Sequence, residues 1–205
     1  MKAVAAVGRR ERGKLEKQAR IRAAARRLFA KQGFDNTTTR QIAAEADIGA
    51  GTLFLYAPTK EDLLVGIFHD EVGRAVDQAF ARVPDAPLVD QLLHVFNVLI
   101  THHAAHPELA RVFVKELPFV DDPQHGVVHF IADLYGRLGS LIDAAKERGE
   151  IEPDAPTRLL AHFSFGMCFG LMQQWLGGRL APLRPSDERL RVALELLLRG
   201  ARTRE

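Results

Sequence analysis

Apolar residues recur every three or four positions along most of the chain, and this spacing predicts amphipathic helices. Between residues 14 and 32, for example, Ile21, Ala25, Leu28 and Phe29 form one apolar stripe. The predicted helices cover residues 14–32, 38–46, 49–56, 59–81, 87–105, 107–117, 124–149, 154–176 and 186–199. With about nine helices and no convincing strand, the sequence predicts an all-α fold.

Residues 38–60 predict two short helices joined by a tight turn. Thr38 is a good N-cap, because its hydroxyl can accept a hydrogen bond from an early backbone amide. Asp47 follows the first helix, and aspartate tolerates the left-handed conformation that a sharp bend requires. In the second helix Leu53 faces inward with Ile48. The outer side is left to Ala50, Gly51, Thr52, Leu55 and Tyr56.

This stretch resembles the helix-turn-helix of the TetR family of bacterial transcriptional regulators. The matching positions, in order and without gaps, are Thr37, Thr38, Ile42, Ala43, Gly51, Thr52, Leu53, Phe54, Tyr56, Thr59, Lys60 and Glu61. The chain departs from the family pattern at the turn residue, Asp47, and at Gly49, Ala50 and Ala57. The close match covers about the first third of the chain, and the remainder agrees in length and helical character.

The resemblance implies that eight residues contact DNA, in three roles. The contacts to phosphate at the start of the motif are Thr38 and Arg40, those to base edges are Ala50, Gly51, Thr52 and Leu55, and those to the backbone are Tyr56 and Lys60. The outer face of the second helix has no Arg, Asn or Gln, the residues that make the strong bidentate base contacts. Thymine methyl groups and DNA shape are therefore the expected sources of sequence preference.

Positive charge is concentrated at the same end of the chain. Residues 1–60 contain 13 Lys/Arg and 5 Asp/Glu, a net charge of +8, whereas residues 61–205 contain 15 and 21, a net charge of −6. Such a split indicates a polyanion-binding end. Residues 1–13 are basic without apolar periodicity and are predicted to be a mobile arm. The arm is either a tail without function or an extension that reaches phosphates or a minor groove.

Composition excludes several classes of protein. Cys168 is the only cysteine, so no internal disulfide can form, which suits a reducing compartment. The sequence has no run of about 18 apolar residues to span a bilayer and no secretory signal, so we expect a cytoplasmic protein without membrane association. Two domains are predicted, a DNA-binding domain at 15–75 and a helical ligand-binding and dimerisation domain at 76–205. The helix 59–81 would connect them.

The last two predicted helices carry an apolar excess. Residues 154–176 are apolar nearly all round, and Gly166 and Gly170 would let a neighbouring helix approach closely. In the TetR family these helices meet their symmetry mates in a four-helix bundle, which implies a homodimer here. Burial of a long helix within its own subunit is the alternative. A two-fold dimer would read a near-palindromic operator on successive major-groove faces of double-stranded DNA.

Aromatic and methionine side chains accumulate in the C-terminal part, where the family has its inducer pocket. We interpret them first as core, and the resemblance implies that some of them bind a small, largely apolar effector. The candidate ligand-binding residues are Phe96, Asn97, Phe113, His129, Phe130, Phe163 and Met167. The polar members of these helices, namely Asn97, Thr101, His129, His162 and Gln173, either orient the ligand or bond to one another and to the backbone.

Neither metal binding nor catalysis is expected. The histidines at 102, 103 and 106 cluster at a helix end, and those at 125 and 129 lie one turn apart, but no cysteine or carboxylate joins them at ligand spacing. We interpret them as surface histidines. The sequence lacks a nucleophile elbow, a glycine-rich phosphate loop and an HExxH motif, so no cofactor is expected.

The sequence therefore predicts a homodimeric repressor that leaves its operator when an effector fills the C-terminal domain. Two alternatives stay open. The C-terminal domain could bind a protein partner rather than a small molecule. An enzyme on a helical scaffold would require turnover that is lost when His129 or His162 is changed.

Overall fold

The computed structural model describes residues 8–119 and 127–201. Within these ranges the chain forms nine α-helices and one short 3-10 turn, Leu117–Phe119. The helices are α1 (Arg9–Gln32), α2 (Thr39–Glu45), α3 (Ala50–Leu53), α4 (Lys60–Phe80), α5 (Leu88–Ala105), α6 (Pro107–Glu116), α7 (Val127–Glu147), α8 (Thr157–Leu176) and α9 (Glu188–Arg199). The predicted all-α fold is confirmed. The chain divides into two compact units, Met1–Ile67 and Phe68–Glu205.

The first unit is built around α1, which packs on α2, while α2 packs on α3. Its core contains Ile21, Ala25 and Phe29 from α1, Ile42 from α2 and Leu53 from α3, all buried. Removing these side chains from water supplies about 25 cal/mol for each Å² of apolar surface. The core therefore holds two short helices that would be marginal in isolation.

The second unit is organised around α5. This helix is buried on most sides, including Leu92, Phe96 and Ile100, and it contacts α6, α7, α8 and α9. The antiparallel neighbours α7 and α8 form the most extensive helix pair, and α8 also packs against α9. An α5 that is apolar nearly all round fits this central position.

Three helix ends agree with the sequence-based predictions. Gly33 ends α1 with φ 80°, a conformation that glycine adopts without steric penalty. Thr38 caps α2, and Asp47 in the following turn has φ 54°. Thr59 and Asp62 exchange hydrogen bonds at the start of α4, where the Thr59 amide donates to the Asp62 carboxylate over 3.0 Å.

Other boundaries were predicted wrongly. Helix α1 begins at Arg9, inside the stretch expected to be a mobile arm, because arginine, glutamate and lysine favour helical backbone without an apolar stripe; residues 1–7 lie outside the described ranges. Helix α3 ends at Leu53 rather than at 56, and Ala57 precedes a proline, which disfavours helical backbone. Helix α9 begins at Glu188 rather than at the predicted residue 186; Asp187 is its cap, and Ser186 has φ 61°.

Candidate nucleic-acid interface and apolar cavity

The start of α2 is held by a reciprocal pair of hydrogen bonds. The Thr38 hydroxyl accepts from the Gln41 amide over 3.3 Å, and the Gln41 side-chain oxygen accepts from the Thr38 amide over 2.8 Å. This capping box satisfies two backbone donors that the helix itself cannot satisfy. These hydrogen bonds fix the position of Thr38 at the start of α2. Thr38 is nevertheless exposed to solvent.

The turn between α2 and α3 is compact. Asp47 adopts the left-handed conformation, and the Ile48 amide donates to the Ala43 carbonyl over 3.0 Å. Gly49 then caps α3 with extended backbone angles. Two ion pairs brace this turn on α1, Arg27 with Glu45 at 3.0 Å and Arg20 with Asp47 at 3.8 Å. The arrangement is a helix-turn-helix resting on a third helix.

The outward face of this motif is apolar and accessible. Ala50 and Gly51 are exposed, Leu55 is 77% exposed, and Thr52 and Tyr56 are partly buried. Phe54, which the sequence did not assign to this face, is 52% exposed. These six residues lie on the side of the motif away from its core, and their chemistry suits thymine methyl groups better than polar base edges.

The two basic residues predicted to meet DNA differ in their surroundings. Arg40 on α2 is exposed. Lys60, at the first turn of α4, donates to the carbonyl oxygens of Phe34 and Asp35 over 2.9 and 3.3 Å, and its ammonium lies 4.3 Å from the Phe34 ring centre. Lys60 therefore joins the end of α1 to the start of α4, a structural role that the sequence did not indicate.

The second unit encloses a small apolar cavity of about 20 Å³. Of the seven predicted ligand residues, Phe113 and Phe130 line it. The other lining residues are Val72, Leu99, His103, Leu117, Ile131, Leu134, Phe165, Phe169 and Met172. A space of this size holds about one water molecule. A larger ligand would fit only if side chains around the cavity, such as the flexible Met172, changed conformation.

The remaining five predicted ligand residues do not line this cavity. Phe96 is fully buried within the core around α5, and Asn97 uses its side-chain oxygen to accept from the Ser186 amide over 2.7 Å. His129 is exposed, Phe163 is 54% exposed, and Met167 is partly buried. These residues were predicted from their type and their apolar neighbours in the sequence. Each of them lies on a part of its helix that does not contact the cavity.

The surface assignment of the helix-end histidines is wrong for two of them. His103 is only 2% exposed, and its Nδ1 donates to the Leu99 carbonyl over 2.7 Å. Burial lowers the pKa of His103 to about 4, against a smaller opposing effect of that hydrogen bond. His102 is largely buried 3.7 Å from Glu71, and desolvation lowers its pKa although the carboxylate opposes the shift. His106 is exposed, and His125 lies outside the described residues.

The other polar residues on these helices bond locally. The Thr101 hydroxyl donates to the Asn97 carbonyl over 2.7 Å, the His162 ring bonds to the Arg158 carbonyl over 2.6 Å, and Gln173 is exposed. Across the described part of the chain, no group of three or more histidine, cysteine, aspartate or glutamate side chains is arranged to hold a metal ion. Every helix in the same ranges is too short or too polar to span a bilayer.

A second concavity, about 470 Å³ in volume, opens to solvent between α7 and α8. Its residues are Ala132, Tyr135, Gly136, Gly139, Ser140, Asp143, Thr157, Arg158, Ala161 and His162. Small residues along α7 leave this space between the two helices. Sequence reasoning missed the groove, although the small residues at 132, 136, 139 and 140 were a signal of weak side-chain filling.

Two family models match the chain. The model described as bacterial regulatory proteins, tetR family, matches residues 21–67, which contain the helix-turn-helix. The model described as a tetracyclin repressor-like C-terminal domain matches residues 85–182. The matches thus fall in the two compact units separately.

Individual relatives are distant but cover most of the chain. The transcriptional repressor KstR of Rhodococcus jostii is 25% identical over 183 residues, which are 89% of this chain and 83% of that protein. The fatty acid metabolism regulator protein of Bacillus subtilis is 23% identical over 75% of this chain and 80% of its own length. Among solved structures, Thermus thermophilus FadR, a transcriptional repressor in complex with lauroyl-CoA, is 28% identical with a TM-score of 0.69, covering 92% of this chain and 96% of that one.

Proposed function

Because the chain belongs to the TetR family of bacterial transcriptional regulators, we propose that it is a homodimeric repressor that binds a near-palindromic operator and is released by a small, largely apolar effector. The exposed outer face of the helix-turn-helix, carried on a positively charged first unit, is the observation on which this proposal rests. We keep 15–75 and 76–205 as the proposed DNA-binding and effector domains.

Recognition of DNA divides between the two helices of the motif. Thr38 and Arg40 at the start of α2, with Tyr56 and Lys60 after α3, would contact phosphates and hold the register. Ala50, Gly51, Thr52 and Leu55 would face base edges. Since apolar contact with thymine methyl groups is the chemistry this surface offers, we expect an operator with conserved A·T pairs at the contacted positions.

The proposed dimer rests on exposed apolar side chains of α8 and α9. Leu159 and Phe163 lie one turn apart on α8, Val192 and Leu196 one turn apart on α9, and all four are more than two-fifths exposed. A patch of large apolar side chains on two neighbouring helices is typical of an interface between subunits. Pairing with a second copy across a two-fold axis would cover this patch. It would also place two helix-turn-helix motifs at the spacing that a palindromic site requires.

For the effector we propose a fatty acyl thioester. Two observations support this class. All residues that line the cavity are apolar except His103, and the Thermus relative is in complex with lauroyl-CoA. A cavity of about 20 Å³ cannot hold an acyl chain without displacing side chains such as Phe169 and Met172. The ligand would therefore stabilise an expanded conformation, and it releases DNA only if that conformation binds DNA less well.

Helix α4 is the proposed link between effector and DNA. Val72 on α4 lines the cavity, and Lys60 at the other end of the same helix is anchored to the end of α1. The two residues are separated by about 18 Å along the helix axis. We expect a displacement of Val72 by the effector to act on the first unit through this helix, which begins in that unit and continues into the second.

The first experiment is selection of bound sequences from a random duplex pool with the purified protein. We expect a near-palindromic site that is altered or lost with Thr52→Ala. Thr101→Ala, which makes the same change within the second unit, should select the wild-type site. Binding that is sensitive to salt but enriches no sequence would exclude a sequence-specific repressor.

Two further measurements address the dimer and the effector. Phe163→Asp combined with Leu196→Asp should convert the dimer into monomers in analytical ultracentrifugation and abolish selection of paired half-sites. Lauroyl-CoA should release the selected operator in a mobility-shift assay. If acyl thioesters and other apolar molecules all leave the complex intact, the C-terminal domain serves a protein partner instead.

A further inference from the structure

The furrow between α7 and α8 contains the open groove, and both helices also contribute to the apolar cavity, which residues of α4, α5 and α6 complete. On α7, Phe130, Ile131 and Leu134 line the cavity, whereas Ala132, Tyr135 and further residues up to Asp143 line the groove. On α8, Phe165 and its successors line the cavity, whereas Arg158 and the neighbouring positions line the groove. The two spaces therefore share α7 and α8, and the Tyr135 ring of the groove contacts the Phe165 ring of the cavity.

Aromatic rings in contact with one another extend from the lining of the groove to that of the cavity. Tyr135 stacks on His162 with ring centres 3.8 Å apart and planes inclined by 12°, and it meets Phe165 edge-on at 5.7 Å. Phe165 stacks in turn on Phe169 at 5.8 Å, inside the cavity. Tyr135 and Phe165 thus contact each other where the lining of the groove meets that of the cavity.

The groove differs from the cavity in its chemistry. Its wall contains the Arg158 guanidinium, the Ser140 hydroxyl and the polar edge of His162. The single carboxylate, Asp143, accepts a hydrogen bond from Thr157 over 2.5 Å and lies 3.7 Å from the Lys146 ammonium. The negative charge is thus compensated within the groove, and Arg158 remains to attract an anion.

Size and position also fit a ligand head group. A volume of about 470 Å³ falls within the range of small-molecule sites. The length of α7 from Tyr135 to Asp143 is about 12 Å, enough for an extended polar group. On α8, Arg158 and His162 lie on a different side of the helix from Leu159 and Phe163, so the proposed dimer seam leaves the groove open.

We propose that this groove binds the anionic, phosphate-bearing head of an acyl thioester, and that the rings of Tyr135, His162 and Phe165 form the gate through which its acyl chain enters the cavity. The inference rests on the proposed effector class. It assigns Arg158 to the head group and makes the α7–α8 furrow the entry path.

The test compares two ligands that share an acyl chain and a thioester. Lauroyl-CoA carries the nucleotide and phosphates, and the lauroyl thioester of N-acetylcysteamine does not. By isothermal titration calorimetry, Arg158→Ala should weaken binding of lauroyl-CoA by about tenfold or more, as expected for loss of a charged hydrogen bond, and leave the truncated thioester unchanged. Arg179→Ala, an exposed arginine outside the groove, should change neither affinity.

A second variant tests the path itself. Ser140→Trp places a bulky ring in the groove from an exposed position, so folding should survive. In stopped-flow measurements it should slow association of both thioesters, whereas Gln78→Trp on α4 should not.

Several results would overturn the assignment. If Arg158→Ala weakens both thioesters equally, the arginine supports the fold rather than the head group. If both groove variants bind lauroyl-CoA like the wild type, the head group lies elsewhere while the acyl thioester remains the effector. If the wild type binds neither ligand, the proposed effector class fails and the groove assignment fails with it.

Discussion

The ammonium of Lys60 donates to the carbonyl oxygen of Phe34 over 2.9 Å while lying 4.3 Å from the centre of the Phe34 ring. Phe34 follows the glycine that ends α1, where backbone carbonyls have no helical partner. A lysine at the first residue of α4 supplies the missing donor. The Lys60 side chain therefore connects the end of α1 to the start of α4. A substitution of Lys60 that weakens DNA binding can act through the loss of this contact as well as through the loss of a DNA contact.

Lys60→Met keeps the aliphatic stem on Phe34 but removes the ammonium. We expect the free energy of unfolding to fall by about 1–2 kcal/mol, because two carbonyls lose a charged donor and the contact with the ring is lost. Chemical denaturation measures this change, and Lys31→Met, at an exposed position of α1, is the matched control. Equal stability of the two variants would contradict the structural role.

The same variant separates structure from DNA contact. If Lys60 also binds a phosphate, Lys60→Met weakens all duplexes alike and reduces the salt dependence of binding by about one phosphate. A destabilised variant with an unchanged salt slope would leave Lys60 with its structural role alone.

The turn at Asp47 should depend on backbone conformation rather than on charge. Because φ is 54°, Asp47→Val should cost about 1–2 kcal/mol of stability, whereas Asp47→Asn should be nearly neutral. Asparagine tolerates this conformation and lacks only the exposed ion pair with Arg20, which contributes little. Thermal denaturation of the two variants measures the difference, and equal loss in both would assign the effect to the charge.

The capping box at the start of α2 predicts a graded response at Thr38. Thr38→Ala should destabilise the protein by about 1 kcal/mol, because the Gln41 amide loses its acceptor. Thr38→Ser restores the hydroxyl and should recover most of that loss. If serine binds operator as weakly as alanine although stability returns, the threonine methyl contacts DNA directly.

Burial of His103 predicts a pH dependence of stability. Its pKa is lowered from 6.5 to about 4, chiefly by desolvation, so between these values the unfolded chain binds more protons than the folded one. The free energy of unfolding therefore rises with pH in this window. Above about pH 6.5 the neutral His103 makes its full contribution to the free energy of unfolding. As the pH falls from 6.5 towards 4, the free energy of unfolding decreases by up to about 3 kcal/mol.

His103→Gln should flatten this dependence, as measured by chemical denaturation at several pH values between 4.5 and 7.5. His106→Gln, three residues further on at an exposed position, is the control and should leave the slope unchanged. A slope that persists in His103→Gln would assign the pH dependence to other groups, first among them His102.

Local features account for the parts of the fold that sequence reasoning predicted. The cap at Thr38, the bend at Asp47 and the stop at Gly33 each depend on backbone and side-chain groups within a few residues. Apolar periodicity located the amphipathic helices for the same reason. Two predicted helix ends were wrong, although both helices exist. Polar residues extend α1 back to Arg9, and α3 ends at Leu53, ahead of a proline.

The sequence could not separate the cavity-lining residues of α8 from its exposed ones, because α8 is apolar nearly all round. Phe163 and Phe165 are two residues apart on this helix and chemically identical. Phe165 is buried against the cavity, whereas Phe163 is 54% exposed. No periodicity distinguishes the two when most faces of a helix are apolar, and only the positions of the neighbouring helices α5, α6, α7 and α9 determine which face is covered.

The sequence by itself determined the all-α class, the helix-turn-helix with its outward face, and the separation of charge between the two ends of the chain. These depend on residue order alone, through hydrogen bonds and helical spacing over short distances. The tertiary structure decided that Lys60 bonds to Phe34, that His103 is buried and that a groove lies between α7 and α8. Each of these needs residues from different helices to meet, and such meetings depend on the packing of whole elements rather than on any local pattern.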